Sequence, residues 1–280
     1  MSILELKDIC SQVRRDIVRM VHAVNSGHPG GSLGCTEFFV ALYFKIMKHK
    51  KEFKMNGNTE DLFFLSNGHI SPVFYSVLAR SGYFPIKELS SFRLINSRLQ
   101  GHPATKEGLP GIRIASGSLG QALSVAIGSA ISKKINNDEN LIYCLCGDGE
   151  LQEGQIWEAI MYAGAKEIDN LILTVDVNKQ QICGSTDEIL NLGNLNQKIS
   201  AFNWNVIEIN NGNEIKNVIE GIKKAKKKTK NKKPICILMH TEMGYGVDFM
   251  MGSHKWHGVA PNDEQLKIAL SQLEETMGDY

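Results

Sequence analysis

Two short segments carry the residue types that hold a metal ion and a phosphate. Gly147-Asp148-Gly149 follows one apolar run, and Asp176-Val177-Asn178-Lys179-Gln180 follows the next. A carboxylate, an amide oxygen and a nearby main-chain carbonyl suit a hard cation such as Mg²⁺, which takes oxygen ligands in an octahedron and bridges to phosphate oxygens. The flanking glycines let backbone N–H groups approach an anion, and the helix beginning beyond them adds the positive end of its dipole. Taken singly, the Gly-Asp-Gly reads as a tight strand-to-helix turn and Asn178 as a turn residue. Their separation by one crossover brings both to the same sheet edge, and the pair points to a metal-bridged diphosphate site. No GxGxxG follows the first strand, and Gly117-Ser118-Leu119-Gly120 lacks the third glycine, which disfavours a dinucleotide-binding fold.

The chain has eight histidines. His28, His69 and His102 lie in turns rich in glycine or proline, which position an imidazole while leaving it accessible. A neutral imidazole donates, accepts or shuttles a proton near pH 7. His254 and His257 share a further loop of this kind. His22 and His49 sit on helical or lysine-rich stretches and read as surface residues, and His240 follows a strand with only its position to recommend it.

The elements that must position these groups are legible in the apolar pattern. Leu6, Cys10, Val13, Ile17, Met20, Val21 and Val24 recur at helical spacing, and the Ser-Gly-His-Pro-Gly-Gly stretch at 26–31 reads as a loop. Helices are expected at about 36–47, 72–80, 119–134, 153–166, 213–228 and 263–275. Short apolar runs at 141–146, 171–175, 206–209 and 235–239 read as strands buried on both faces. This alternation predicts an α/β fold: a doubly wound, mainly parallel sheet with helices on both faces, in a single domain over residues 1–280. Ligands of such sheets collect at the carboxyl ends of the strands, where both segments fall.

Composition narrows the class. The chain is 280 residues long with a formal net charge of +1 and is 42% hydrophobic, an ordinary globular balance. Near-neutrality removes the electrostatic case for nucleic acid. The lysine-rich run at 222–233 has no interleaved aromatic and reads as a solvated helix end. No stretch approaches the roughly 18 apolar residues of a membrane span, and the N-terminus lacks signal-peptide character, so a cytoplasmic protein without membrane or nucleic-acid partners is expected. The six cysteines form no zinc-type CxxC pair and read as buried free thiols of a reducing compartment.

GDGELQEG at 147–154 and DVNKQQICG at 176–184 closely resemble the thiamine-diphosphate motif of transketolases. SGHPGGSLG at 26–34, LSNGH at 65–69, GHP at 101–103, SGSLGQALSVAIG at 116–128 and SHKWHGVAPND at 253–263 resemble further signatures of that family, in the expected order along the whole chain. The resemblance implies Mg²⁺, or another divalent cation such as Ca²⁺ or Mn²⁺, on Asp148, Asn178 and the Gln180 carbonyl. It implies diphosphate contacts from His69, the Gly149 amide and His254, with His257 as the other candidate. Leu119 and Ile182 would flank the thiazolium ring and Gly117 would approach the aminopyrimidine. His28 and His102 would line the substrate channel, and Glu153 and Glu158 would be the paired acidic residues near a subunit interface. Ser118 and Cys183 depart from the pattern of full-length members, which usually carry proline and an acidic residue there.

In the family a glutamate of a second, pyrimidine-binding domain activates the cofactor across a subunit interface. The chain reaches Tyr280 with only the first domain, so the resemblance implies the N-terminal subunit of a split transketolase. It would work in a dimer of heterodimers with a separately encoded C-terminal subunit, on sugar phosphate substrates. Two alternatives stand beside this reading: a non-catalytic cofactor-binding scaffold, and a subunit of another thiamine-diphosphate enzyme such as a 2-oxo acid dehydrogenase. HPGGS and SGSLGQ favour the transketolase side.

Overall fold

The computed structural model describes residues 1–280. From the N-terminus run α1 (Ile3–Ala23), α2 (Pro29–Gly34), α3 (Thr36–Ala41), β1 (Leu62–Leu65), α4 (Ser71–Arg80) and α5 (Ala122–Ile135). Next come β2 (Ile142–Gly147), α6 (Gly154–Ala165) and β3 (Leu171–Val177). A two-stranded ribbon, β4 (Gln180–Gln181) with β5 (Gly184–Ser185), leads into α7 (Thr186–Leu190) and α8 (Leu195–Ala201). β6 (Asn205–Ile209), α9 (Ile215–Lys228), β7 (Ile235–His240) and α10 (Asp263–Gln272) complete the chain.

The main sheet has the order β1-β2-β3-β7-β6 and is parallel throughout. Alternation along its strands divides the core in two, because successive side chains point to opposite faces. Phe63, Leu65, Tyr143, Leu145, Ile172, Ile235 and Ile237 meet α1, α3, α4 and α9 on one face. Phe64, Ile142, Cys144, Cys146, Leu173, Val175 and Cys236 meet α5, α6 and α8 on the other. Helices thus cover both faces of a parallel α/β sheet, as expected, and every strand end that carries a motif opens on one edge.

Local chemistry accounts for the elements near that edge. α1 starts at a capping box in which Ser2 and Glu5 bond each other's backbone, and it buries the apolar stripe that its spacing predicts. The segment read as a loop at 26–31 instead enters a helix at Pro29, whose fixed φ and missing N–H fit a first helical position. Its turn comes earlier, where Asn25 and Gly27 take positive φ. β1 is a strand that periodicity misses, since its four residues are all buried and carry no alternation. The helix expected from 119 starts at Ala122, because Gly117 and Gly120 hold φ of 141° and 83° and keep the preceding residues in a loop. The helix expected over 36–47 gives way after Ala41 to a π turn, Leu42–Ile46.

α2 is docked against the 243–256 segment through glycine. A Cβ on Gly30 would stand 2.7 Å from both Met243 Cγ and the main-chain oxygen of Trp256. Gly128, on the outer side of α5, has nothing within 4 Å of that position. Gly30→Ala is therefore expected to cost about 1–3 kcal/mol through overpacking. Gly128→Ala is expected to gain about 0.5–1 kcal/mol through helix propensity. Urea unfolding of the two variants checks the pair, and the reverse order of stabilities would show that α2 is not wedged in this way.

Candidate active site

The carboxyl ends of β1, β2 and β3 and the loops beyond them enclose a cleft of about 340 Å³. Asp148 caps β2 with its carboxylate buried. Oδ1 accepts from the Gly149 amide at 2.7 Å and Oδ2 from the Lys179 amide at 2.6 Å. Burial, and next the charge of Asp176, push this carboxyl up to about 7. Asp176, in β3, is itself buried and raised by that burial; it accepts from the Thr241 hydroxyl and, at 2.8 Å, from Asn178 Nδ2. Committing the Asn178 nitrogen to Asp176 leaves Oδ1 as the outward acceptor, and that atom takes the Gln180 amide at 2.9 Å. The β4–β5 ribbon carries Ile182 at its tip, 61% exposed.

Opposite the carboxylates lies a cluster of imidazoles. The His69 ring is 5.1 Å from those of His28 and His257, and His28 lies 5.8 Å from His257 and 6.4 Å from His102. All four titrate below the ordinary histidine value, chiefly because burial disfavours the charged ring; for His28 and His102 the Arg93 guanidinium adds to this. His28 falls to about 4. The four are neutral at physiological pH.

Among the expected residues, the cleft collects His28, His69, Gly117, Leu119, Asp148, Gly149, Glu153, Asn178, Gln180, Ile182 and His257. His102 stands beside it, where a Cβ on Gly117 would lie 3.1 Å from its ring. His254, first choice for the diphosphate, is exposed outside the cleft, because its short helical turn directs His257 inward instead. Glu158 also lies outside, on the exposed side of α6, and Glu153 sits exposed at the rim. Five of the six cysteines are buried free thiols, whereas Cys183 is exposed near the ribbon tip.

Several participants escaped sequence reasoning. Asn67 and Gln181 line the cleft, and Glu150 and Asp176 lie beneath it. Asp176 was signalled by its place two residues before Asn178, on the same side of an extended chain.

The cleft fits an anion-bearing ligand with a cation. His28 Nδ1, His257 Nδ1, Asn67 Oδ1, Gln181 Oε1 and Ser116 Oγ are buried without partners, and they converge around this one region. Buried polar atoms are ordinarily paired, so such a concentration marks a place where a ligand completes the bonding. Close approach is built in, since a Cβ on Gly149 would come within 3.2 Å of Gln181 Oε1. No group of three His, Cys, Asp or Glu converges on a metal position. The donors at hand are one carboxylate, an amide oxygen and a carbonyl, a partial oxygen set of the kind that phosphate oxygens complete for Mg²⁺.

Comparison with known proteins bears on the identity of that ligand. Residues 6–276 match the family model "Transketolase, thiamine diphosphate binding domain". The chain belongs to the transketolase family. It is 37% identical over 274 residues to the 6-deoxy-6-sulfo-D-fructose transketolase subunit SqwG of Clostridium sp. (strain MSTE9), covering 97% of each chain. It is 35% identical to an apulose-4-phosphate transketolase subunit of Phocaeicola vulgatus, covering 94% of this chain and 91% of that one. Human transketolase is 32% identical over 90% of this chain, which spans 39% of that longer protein. The crystal structure of Campylobacter jejuni transketolase superposes with a TM-score of 0.89 at 34% identity, over 98% of this chain and 43% of that one. The transketolase fold is thereby confirmed, along with thiamine diphosphate as the ligand of the family's domain.

The buried imidazoles yield a pH prediction. Between the ordinary value of 6.5 and about 4, the unfolded chain holds a proton on residue 28 that the folded chain does not. This term therefore lowers stability as pH falls through that window. NMR titration of imidazole-labelled protein is expected to find His28 neutral at pH 5.5. A midpoint at the ordinary value would contradict the enclosure described.

Proposed function

We propose that the chain is the N-terminal subunit of a split transketolase. It holds Mg²⁺–thiamine diphosphate and, with a separately encoded C-terminal subunit, transfers a two-carbon ketol unit from a ketose to an aldose acceptor. The observation that carries this is the single cleft in which Asp148 and Asn178, from adjacent strand ends, face the His28–His69–His257 cluster. Near end-to-end coverage of relatives named as transketolase subunits supports the split arrangement.

Within this reading, Asp148, Asn178 Oδ1 and the Gln180 carbonyl hold the divalent cation, with Mg²⁺ preferred and Ca²⁺ or Mn²⁺ chemically admissible. The Gly149 amide, His69 and His257 face the diphosphate, and His257 takes the role first given to His254. Leu119 and Ile182 border the ring end, and the Gly117 backbone lies open for close approach. Thiamine diphosphate supplies, when bound, the nucleophilic carbon and electron sink that no side chain offers. The protein's own part is orientation and proton handling. His28 and His102, being neutral, accept or donate hydrogen bonds to substrate hydroxyls and carry protons at their ring nitrogens as carbon–carbon bonds change.

The partner reading has a surface to support it. Glu158, Met161, Tyr162 and Ala165 lie exposed along one side of α6, and Val125, Ile182, Ile189 and Leu190 expose further apolar surface on α5, the ribbon tip and α7. Exposed apolar patches of this kind mark interaction sites. A dimer of heterodimers is the assembly we infer. The two relatives are named for a sulfo-sugar and a sugar phosphate, and a ketose with an anionic end is the donor class proposed here. No helix is long and apolar enough to cross a membrane, and the buried free thiols support a cytoplasmic setting.

Two measurements test this. Ketol transfer is expected only when both subunits are combined, and donor cleavage by this chain alone would overturn the split reading. In the assembled protein, His257→Ala is expected to weaken thiamine diphosphate binding by about tenfold, while His254→Ala stays within about twofold. Equal losses would refute the assignment to His257.

A further inference from the structure

Glu150 takes no part in the roles above, yet its carboxylate faces the cleft from beneath with only 2% of the residue exposed. Burial raises its pKa, and no lysine or arginine offsets the charge. Its partners are donors from three separate segments. Oε1 accepts from the Ser66 hydroxyl, just past β1, and from the Gly120 amide at 2.6 Å, in the loop before α5. Oε2 accepts from the Gly147 amide at 3.0 Å, at the end of β2.

We propose that Glu150 is a positioning residue that pins the Gly117–Gly120 loop to the ends of β1 and β2, and so sets the backbone that receives the ring end of thiamine diphosphate. The inference deepens the cofactor reading and rests on it. Residues 117–119 make no amide bond to the sheet, so the Gly120–Glu150 bond is the loop's anchor there. From the other side, Gln155 Nε2 donates to the Leu119 carbonyl at 3.2 Å. A Cβ on Gly120 would meet Gln155 Nε2 at 2.7 Å, which with its φ of 83° restricts the position to glycine. The loop is thus clasped between a carboxylate below and an amide beside it. The diphosphate end depends on different groups, Asp148 and Asn178, which Glu150 does not bond.

A carboxylate is needed because both oxygens face donors. Glutamine at this position would turn an NH₂ toward the Gly120 or Gly147 N–H, two donors that cannot satisfy each other. The test compares Glu150→Gln with the unaltered two-subunit protein, titrated calorimetrically in Mg²⁺ with inorganic pyrophosphate and, separately, with thiamine diphosphate. Pyrophosphate affinity is expected to hold within about twofold, while thiamine diphosphate affinity falls by about tenfold or more. Hydrogen exchange gives a readout independent of binding: the Gly120 amide exchanges faster in the variant while the amides of β2 before Gly147, which Glu150 does not bond, keep their protection. Ser66→Ala, which removes one donor to the same carboxylate, is expected to act in the same direction by less. Equal weakening of both ligands, or unchanged thiamine diphosphate affinity, would overturn the proposal. Failure of the unaltered protein to bind either ligand would overturn the cofactor reading beneath it.

Discussion

Two buried carboxylates at neighbouring strand ends, Asp148 and Asp176, set the terms for this structure. Neither is paired with a lysine or arginine; burial makes both costly to ionise, and the charge of Asp176 adds to the cost at Asp148. Amides and a threonine hydroxyl donate to them, which offsets the cost of charge only in part. Everything nearby serves to keep that arrangement fixed. β2 and β3 lie in parallel register with Gly147 beside Asp176, so the turn after one strand stands over the end of the other. The sheet bears the two residues, the ribbon folds the Lys179 amide back onto Asp148, and the histidine cluster closes the remaining side.

The fold was largely readable from apolar runs, because strands covered on both faces are short, continuous and bounded by turns. What escaped was local. β1 is four buried residues within a helical-looking third, and a run that short has no period to detect. α2 was hidden by its glycines, although Pro29 at the first turn is a start signal. That Asp148 and Asn178 share one cleft was visible because they sit one crossover apart, each just beyond a strand end. The choice between His254 and His257 was not visible, since it depends on how a short turn packs. Glu150 was hidden for a different reason: its importance lies in the three chain segments it joins, and only the fold brings Ser66, Gly120 and Gly147 together.

The proposed division of labour across an interface would account for the exposed residues around the cleft. Ile182 remains open at the cleft, and Met161 and Leu190 expose further apolar surface on α6 and α7. In the reading proposed above, the chain would organise the charged end of the cofactor and leave the ring end bordered by surface that another polypeptide can cover. The neutral histidines fit the proposed role, because a proton-handling ring would have to be enclosed enough to shed its charge and open enough to reach a substrate.

The central claim is that an uncompensated carboxylate at Asp148 recruits a divalent cation to hold thiamine diphosphate. Calorimetric titration of thiamine diphosphate into the assembled protein, with Mg²⁺ present or chelated, tests it most directly when set beside Asp148→Asn. We expect chelation to weaken binding by about tenfold or more, and Asp148→Asn to bind as weakly with Mg²⁺ as the unaltered protein does without it. Binding that is indifferent to Mg²⁺, or an Asp148→Asn protein that keeps full Mg²⁺-dependent affinity, would contradict the account.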